Sequence, residues 1–256
     1  MNQPEISYRQ RYCAYIDILG FRNLVENLDK GRLTVAEIHR ILAAVHTQKS
    51  PQRPEDADLR HQSISDAVAL SAAPNAAGLD AICTAIEELA RQLLRSGYFL
   101  RGGITKGELY HDHSMVFGPA LIEAYRLEQE IAKFPRIIIP RSVGSDQNKY
   151  IQEGTHWKSA FEDRFIKAED GPYFLHLFRT QAQKIKALVA RKTDPCAEDD
   201  SALILLKPMR KAIQEKYDEA SDNPKHFEKV AWFVDYWNTQ IAVGVSGLEQ
   251  ITPSKL

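Results

Sequence analysis

Apolar residues crowd the first strand-like run of the chain and enclose a single carboxylate. Tyr12, Cys13, Ala14, Tyr15, Ile16, Ile18 and Leu19 surround Asp17, and Gly20 and Phe21 follow. The run predicts a strand that stops at a glycine turn. From Phe21 the apolar spacing turns helical through Leu24, Val25 and Leu28, and it resumes at Val35, Ile38, Ile41, Leu42 and Val45. A polar, proline-containing loop over 50–58 ends that segment. Residues 59–71 then read as a β-hairpin with Ser65-Asp66 at its tip. The most regular helix of the chain opens at Pro74-Asn75, repeats Leu79, Ile82, Cys83, Ile86, Leu89, Leu93 and Leu94, and closes at Gly97.

The second half alternates in the same way. Residues 98–110 read as a strand with Gly102, Gly103 and Gly107 inside it, a sign of close backbone approach. His111, Asp112 and His113 follow as an exposed polar turn, because their spacing fits no single-helix pair of metal ligands. A short strand at 115–117 leads through Gly118-Pro119 into a helix over 120–131. Strands are expected at 136–140 and 174–178, and helices at 185–189, 201–217 and 227–241. The cluster Trp232, Phe233, Tyr236 and Trp237 is expected to dock this helical tail onto the core. The resulting order, βααβ-β-α-β-β-α-β, predicts an α+β fold with an antiparallel sheet covered by helices. A first unit over 1–178 and a helical C-terminal extension over 179–256 follow, with 193–200 as linker.

Composition narrows the partners. The chain has 256 residues, with 33 Lys and Arg against 34 Asp and Glu. The formal net charge of −1 gives no global attraction to nucleic acid, so any phosphate site must be local. Cys13, Cys83 and Cys196 are far apart and form no CxxC pair, which argues against a disulfide scaffold or a zinc site. No apolar run reaches bilayer length and no apolar signal region opens the chain, so a cytoplasmic protein without a membrane partner is expected.

The candidate chemistry begins at Asp17. A strand, a glycine turn and a helix start form an anion site, because the first helical N–H groups lack partners and the helix dipole favours negative charge. A carboxylate at that strand end lets a divalent cation sit between it and a bound phosphate. Asp66, at a hairpin tip, offers a second carboxylate, although Asp is also a favoured turn residue. Arg126 shares a helix face with Ile122 and can pair with Glu123 or Glu130.

Four segments taken together resemble the class III nucleotidyl cyclase catalytic domain over about residues 8–178. They are Asp17-Ile18-Leu19-Gly20-Phe21, Ser65-Asp66, Leu100-Arg101-Gly102-Gly103-Ile104 with Gly107, and the helix from Gly118 through Arg126-Leu127-Glu128. The resemblance implies a ferredoxin-like βαββαβ core and cyclisation of a nucleoside triphosphate with release of pyrophosphate. It implies two divalent ions, Mn²⁺ or Mg²⁺, held by Asp17, the Ile18 carbonyl and Asp66, and phosphates cradled by backbone N–H groups of Leu19, Gly20 and Phe21. Arg126 would stabilise charge at the α-phosphate. A homodimer with composite sites would bring that arginine from the other subunit.

Departures from the family pattern bear on the base. Ile122 stands where the family has a ribose-orienting asparagine, Arg60 where it has a purine-selecting lysine, and Met115 where it has a base-reading Asp or Cys. This combination resembles the pyrimidine cyclases of the Pycsar antiphage systems. A uridylate cyclase is then expected, producing cyclic UMP that acts on a separate effector; a cytidylate cyclase is the alternative. A purine cyclase, an inactive nucleotide-binding module and a metal-dependent phosphohydrolase are the competing readings. Arg101 is a further candidate, either structural or in contact with phosphate.

Overall fold

The structure is a computed structural model that describes residues 6–21, 26, 34–36, 39, 55–64, 67–190, 200–242 and 248–253. The hairpin tip with Asp66, Cys196 and most of the segments 21–28, 35–45 and 193–200 fall outside the described residues.

One mixed sheet carries the molecule. Its strands are β1 (Arg9–Leu19), β2 (Arg60–Ile64), β3 (Ala67–Ala72), β4 (Phe99–His111), β5 (Val116–Phe117), β6 (Ile137–Ile139), β7 (Phe165–Lys167) and β8 (Tyr173–Leu175). The spatial order is β2-β3-β1-β4-β6-β8-β7, with β5 paired to β4. Long β1 and β4 sit centrally and antiparallel in register, Arg9 opposite Leu109 through Leu19 opposite Phe99. The β4–β6 pair is parallel, because the chain crosses over between them through a helix. The α+β architecture is the expected one, with this parallel pair inside the sheet.

The two faces of β1 have different partners. Tyr12, Ala14, Ile16 and Ile18 are at most 1% exposed and pack in the main core with α1 (Ala76–Leu94). Asn75 caps α1, its side chain accepting from the Gly78 N–H at 2.7 Å, a common way to satisfy an orphan helical donor. On the opposite face Cys13 packs with Leu109, Ala120 and Ala124, the last two on α2 (Pro119–Arg126). The helix continues as a single π-helical turn, Leu127–Ile131.

A polar stretch without strong periodicity forms α3 (Arg141–Gln152), α4 (Thr155–Phe161) and β7, none of which the apolar pattern predicts. The C-terminal part forms α5 (Arg179–Ala190), α6 (Asp200–Glu219) and α7 (Pro224–Gln240). The aromatic cluster docks as expected. Phe233 meets Phe99 edge-on with ring centres 4.8 Å apart, and Trp232 meets Phe174 at 5.4 Å. Arg136, 1% exposed, binds Asp170 through two 2.6 Å contacts and lies over the rings of Phe134 and Trp232. Among the described residues no helix is long and apolar enough to cross a membrane.

Candidate active site

Asp17 sits near the C-terminal end of the central strand, opposite Ala67 on one side and Arg101 on the other. Directly opposed residues of an antiparallel pair share a face. The Arg101 Nε and Nη2 groups donate to Asp17 Oδ2 at 3.4 and 3.3 Å. The same Nε lies 2.5 Å from Glu128 Oε1, and the Glu128 side chain is fully buried. The guanidinium is therefore held close by Glu128 and reaches Asp17 at longer range. Asp17 keeps a partly exposed carboxylate, 19% accessible.

Two glycines make this contact feasible. A Cβ at Gly103 would lie 2.6 Å from Leu127 Cβ, and one at Gly102 would lie 2.3 Å from the Tyr15 carbonyl. Only a bare backbone on β4 lets the π-helical turn descend far enough for Glu128 to reach Arg101. Turns of this kind are frequent at functional sites. Three residues past Asp17 the chain bends at Gly20, whose φ of +83° suits glycine, and Phe21 has helical backbone. The Ile18 side chain is 1% exposed and lies in the core, which leaves its carbonyl as its one polar contribution.

The other expected residues lie elsewhere. Arg60 pairs with Ser71, which pairs with Cys13. That is four residues, about 13 Å along the strand, from the level of Asp17. Arg60 grips Asp58 through Nε and Nη2 at 2.9 Å each and donates to the His111 carbonyl. Met115 is near this end too: its N–H donates to Asp112 Oδ1 at 2.8 Å, and its side chain is 49% exposed. Arg60 and Met115 thus gather toward one end of the sheet and Asp17 at the other, with Arg60 at the level of Cys13, over which α2 packs.

Arg126 projects from α2 into solvent and forms the surface ion pairs open to it, with Glu123 at 2.8 Å and Glu130 at 3.0 Å. These bonds, to Glu123 above all, raise its pKa and keep it charged. Ile122 and Tyr125 on the same helix are also exposed.

The polar turn after β4 needs one correction. Asp112 and His113 are turn residues, but His111 ends β4 and is buried. Its Nδ1 lies 2.7 Å from Ser71 Oγ. Burial, then the neighbouring Arg11 and Arg60, lower its pKa to about 4. Asp112 accepts from Ser114 N–H, Ser114 Oγ, Met115 N–H and the Tyr110 hydroxyl, and these bonds hold its carboxyl far below the usual range.

The donor chemistry at Asp17 fits a divalent ion. It is a hard anionic oxygen at a strand end, and the Arg101 guanidinium beside it is already a cation in that position. Among the described residues no three His, Cys, Asp or Glu side chains converge to hold a metal, and Asp66 lies outside them.

No family model matches the chain, and no curated protein matches it in sequence. Solved structures of partly similar shape exist. A bacterial light-regulated adenylyl cyclase is 16% identical with a TM-score of 0.43, covering 70% of this chain and 98% of that one. The monomeric guanylyl cyclase domain of the RhoGC fusion protein from Blastocladiella emersonii is 13% identical with a TM-score of 0.46, covering 66% and 96%. The adenylyl cyclase CyaB from P. aeruginosa is 16% identical with a TM-score of 0.42, covering 67% and 95%.

Proposed function

We propose that this chain is a nucleotidyl cyclase that converts a pyrimidine nucleoside triphosphate, UTP first, to its 3′,5′-cyclic monophosphate and pyrophosphate. The observation that carries the proposal is the neighbourhood of Asp17. The strand bearing it is flanked by β3, which starts directly after Asp66 in sequence, and by β4 with Leu100-Arg101-Gly102-Gly103-Ile104. The helix carrying Arg126-Leu127-Glu128 returns Glu128 to the same arginine. Motifs separated by some 110 positions in sequence meet on one sheet face.

Asp17, the Ile18 carbonyl and Asp66 would hold the divalent ions. When bound, such ions make the ribose 3′-hydroxyl more acidic and neutralise the triphosphate. Backbone N–H groups of Leu19, Gly20 and Phe21 orient the β- and γ-phosphates. The 3′-oxygen attacks the α-phosphorus, its proton passes to solvent water, and the bond from the α-phosphorus to the α–β bridging oxygen breaks as pyrophosphate departs. Arg126 offers a planar, forked donor to the charge that develops on the α-phosphate. To do so it exchanges its exposed partners Glu123 and Glu130 for phosphate oxygens.

The separation of Asp17 from Arg60 and Met115 supports a homodimer in which one subunit supplies the carboxylates and its partner supplies Arg126 and the base-proximal side chains. Exposed Ile122, Tyr125, Met115 and Phe117 give that partner an apolar surface. Without an acidic or thiol acceptor at Met115, the purine edge loses its polar partner, and such losses change discrimination by orders of magnitude. The catalytic unit is residues 1–178 with 179–256 as its extension. The product would serve as a second messenger for a separate antiviral effector.

The test is incubation of the purified chain with each of the four ribonucleoside triphosphates and Mn²⁺, with products identified by mass. Cyclic UMP is expected, and cyclic CMP would move the assignment to cytosine. Cyclic AMP or GMP would overturn the roles of Arg60 and Met115. Linear monophosphate, or no product, would overturn cyclisation.

A further inference from the structure

A cavity of about 380 Å³ lies directly beyond the candidate catalytic carboxylate. The β1 turn forms one wall through Leu19 and Gly20, and the corner between α6 and α7 forms another through Lys216, Lys225, His226 and Lys229. Leu19 and Asp17 lie on the same face of β1, about 7 Å apart along the strand. Apart from the Tyr98 phenol, every ionisable group lining the cavity is basic, and no carboxylate lines it. The chain as a whole is nearly neutral, so this concentration is local.

The arrangement is built. The Lys216 stem lies across Gly97, where a Cβ would come within 2.9 Å of its Cε. Gly97 has a φ of +76°, so the turn after α1 both admits and positions that lysine. Lys216 Nζ pairs with Glu219 at 2.7 Å. Lys225 and Lys229 have no ion-pair partner among the described residues. Pro224 and Asn223 start α7 at the cavity edge, which adds the positive end of a long helix to the same space. Burial, together with Lys216 and Lys229, lowers the pKa of His226, so the surroundings already resist further positive charge. Like charges gathered around a cavity of ligand size are destabilising until an anion enters.

We infer that this cavity receives the terminal phosphates of the nucleoside triphosphate, with Lys225 and Lys229 as the principal ligands and Lys216 and His226 supporting them. The C-terminal helices are then part of the substrate site and not only a brace for the sheet. The inference rests on the nucleotide reading of the Gly20 turn and adds the extension to it.

The experiment measures binding of inorganic tripolyphosphate by calorimetry in 0.15 M salt. It compares the native chain, the double variant Lys225→Gln/Lys229→Gln, and a charge-matched control, Lys149→Gln/Lys158→Gln. The expected result is binding by the native chain and the control, at least tenfold weaker binding by the double variant, and an unchanged Tm. A second arm asks whether tripolyphosphate competes with the nucleotide during turnover, and whether the double variant raises KM. Equal binding by all three proteins, or none by the native chain, overturns the inference. So does inhibition that is not competitive, which would make the cavity a site for a separate anion. Cyclisation with an unchanged KM in the double variant overturns the inference and leaves the cyclase standing. Lysine-dependent tripolyphosphate binding without cyclic product from any nucleotide supports the anion site and removes the cyclase.

Discussion

Replacing Arg164 with methionine tests whether a buried ionic cluster holds α1 to the second half of the sheet. Arg164 is 1% exposed and lies just before β7. Its Nε donates to Glu87 at 2.9 Å and its Nη2 to Thr84 Oγ1 at 2.7 Å, while Nη1 reaches Asp80 and the Ala160 carbonyl. The Glu87 side chain is only 6% exposed, whereas that of Asp80 is 33% exposed. In Arg164→Met, Asp80 can rehydrate but Glu87 is left as a buried charge without its counter-ion. Losses of that kind cost about 3–5 kcal/mol, which for a chain of this size is roughly 6–20 °C in Tm. Removing both charges, in Arg164→Met/Glu87→Met, should recover most of the loss, because an apolar pair of similar volume often replaces a buried ion pair with little penalty. The assay is denaturant unfolding followed by tryptophan fluorescence at one fixed protein concentration. A loss below about 1 kcal/mol in the single variant, or a double variant that falls by the sum of the two singles, would refute the reasoning.

Asp17→Asn should remove at least a thousandfold of cyclising activity with little change in Tm, because it deletes charge from a partly exposed carboxylate and almost no packing; a comparable drop in thermal stability would argue that the carboxylate is structural. Arg126→Ala should lower kcat with little change in nucleotide affinity, and mixing it with Asp17→Asn should restore part of the activity by forming one intact composite site, whereas an inactive mixture would count against sites shared between subunits. Gly103→Val should destabilise the fold by several kcal/mol, because its side chain must displace Leu127, so a native-like melting curve would contradict the close approach. His111 and His176 both have pKa values lowered to about 4, by burial first and then by nearby cations. With folded values below the ordinary 6.5, their contribution is complete above about pH 6.5 and is lost as pH falls toward 4. Tm should therefore drop over that window, and an additional His111→Asn change should flatten the drop; an unchanged slope would disprove it.

The apolar pattern exposes β1, α1 and β4 because each presents a long buried face. Asp17 stands out there as a charge inside an apolar run, and Gly20 marks the bend. The segment 141–172 yields little, since α3 carries only Val143, Gln147 and Tyr150 toward the interior and β7 has three residues. Pairing with β8, not local periodicity, makes that strand. His111 reads as a polar turn residue because its partners, Ser71 and the nearby Arg11 and Arg60, are 40 to 100 positions away in sequence. Glu128 shows the same limit: the motif flags its helix, but only the approach over Gly103 brings it to Arg101. The lysines of α6 and α7 look like ordinary solvated charges until the fold carries them to Gly20.

Phe99, at the start of central β4, packs edge-on against Phe233 of the last helix. Roughly 134 residues of synthesis separate the two sides of that contact, on the order of 7–27 s at ordinary elongation rates. Through that interval the nascent chain carries the start of a central strand without the aromatic ring that finally packs on it. The half-made protein is thus a client for whatever shields apolar surface at the ribosome, and it becomes self-sufficient only after the last helix has emerged.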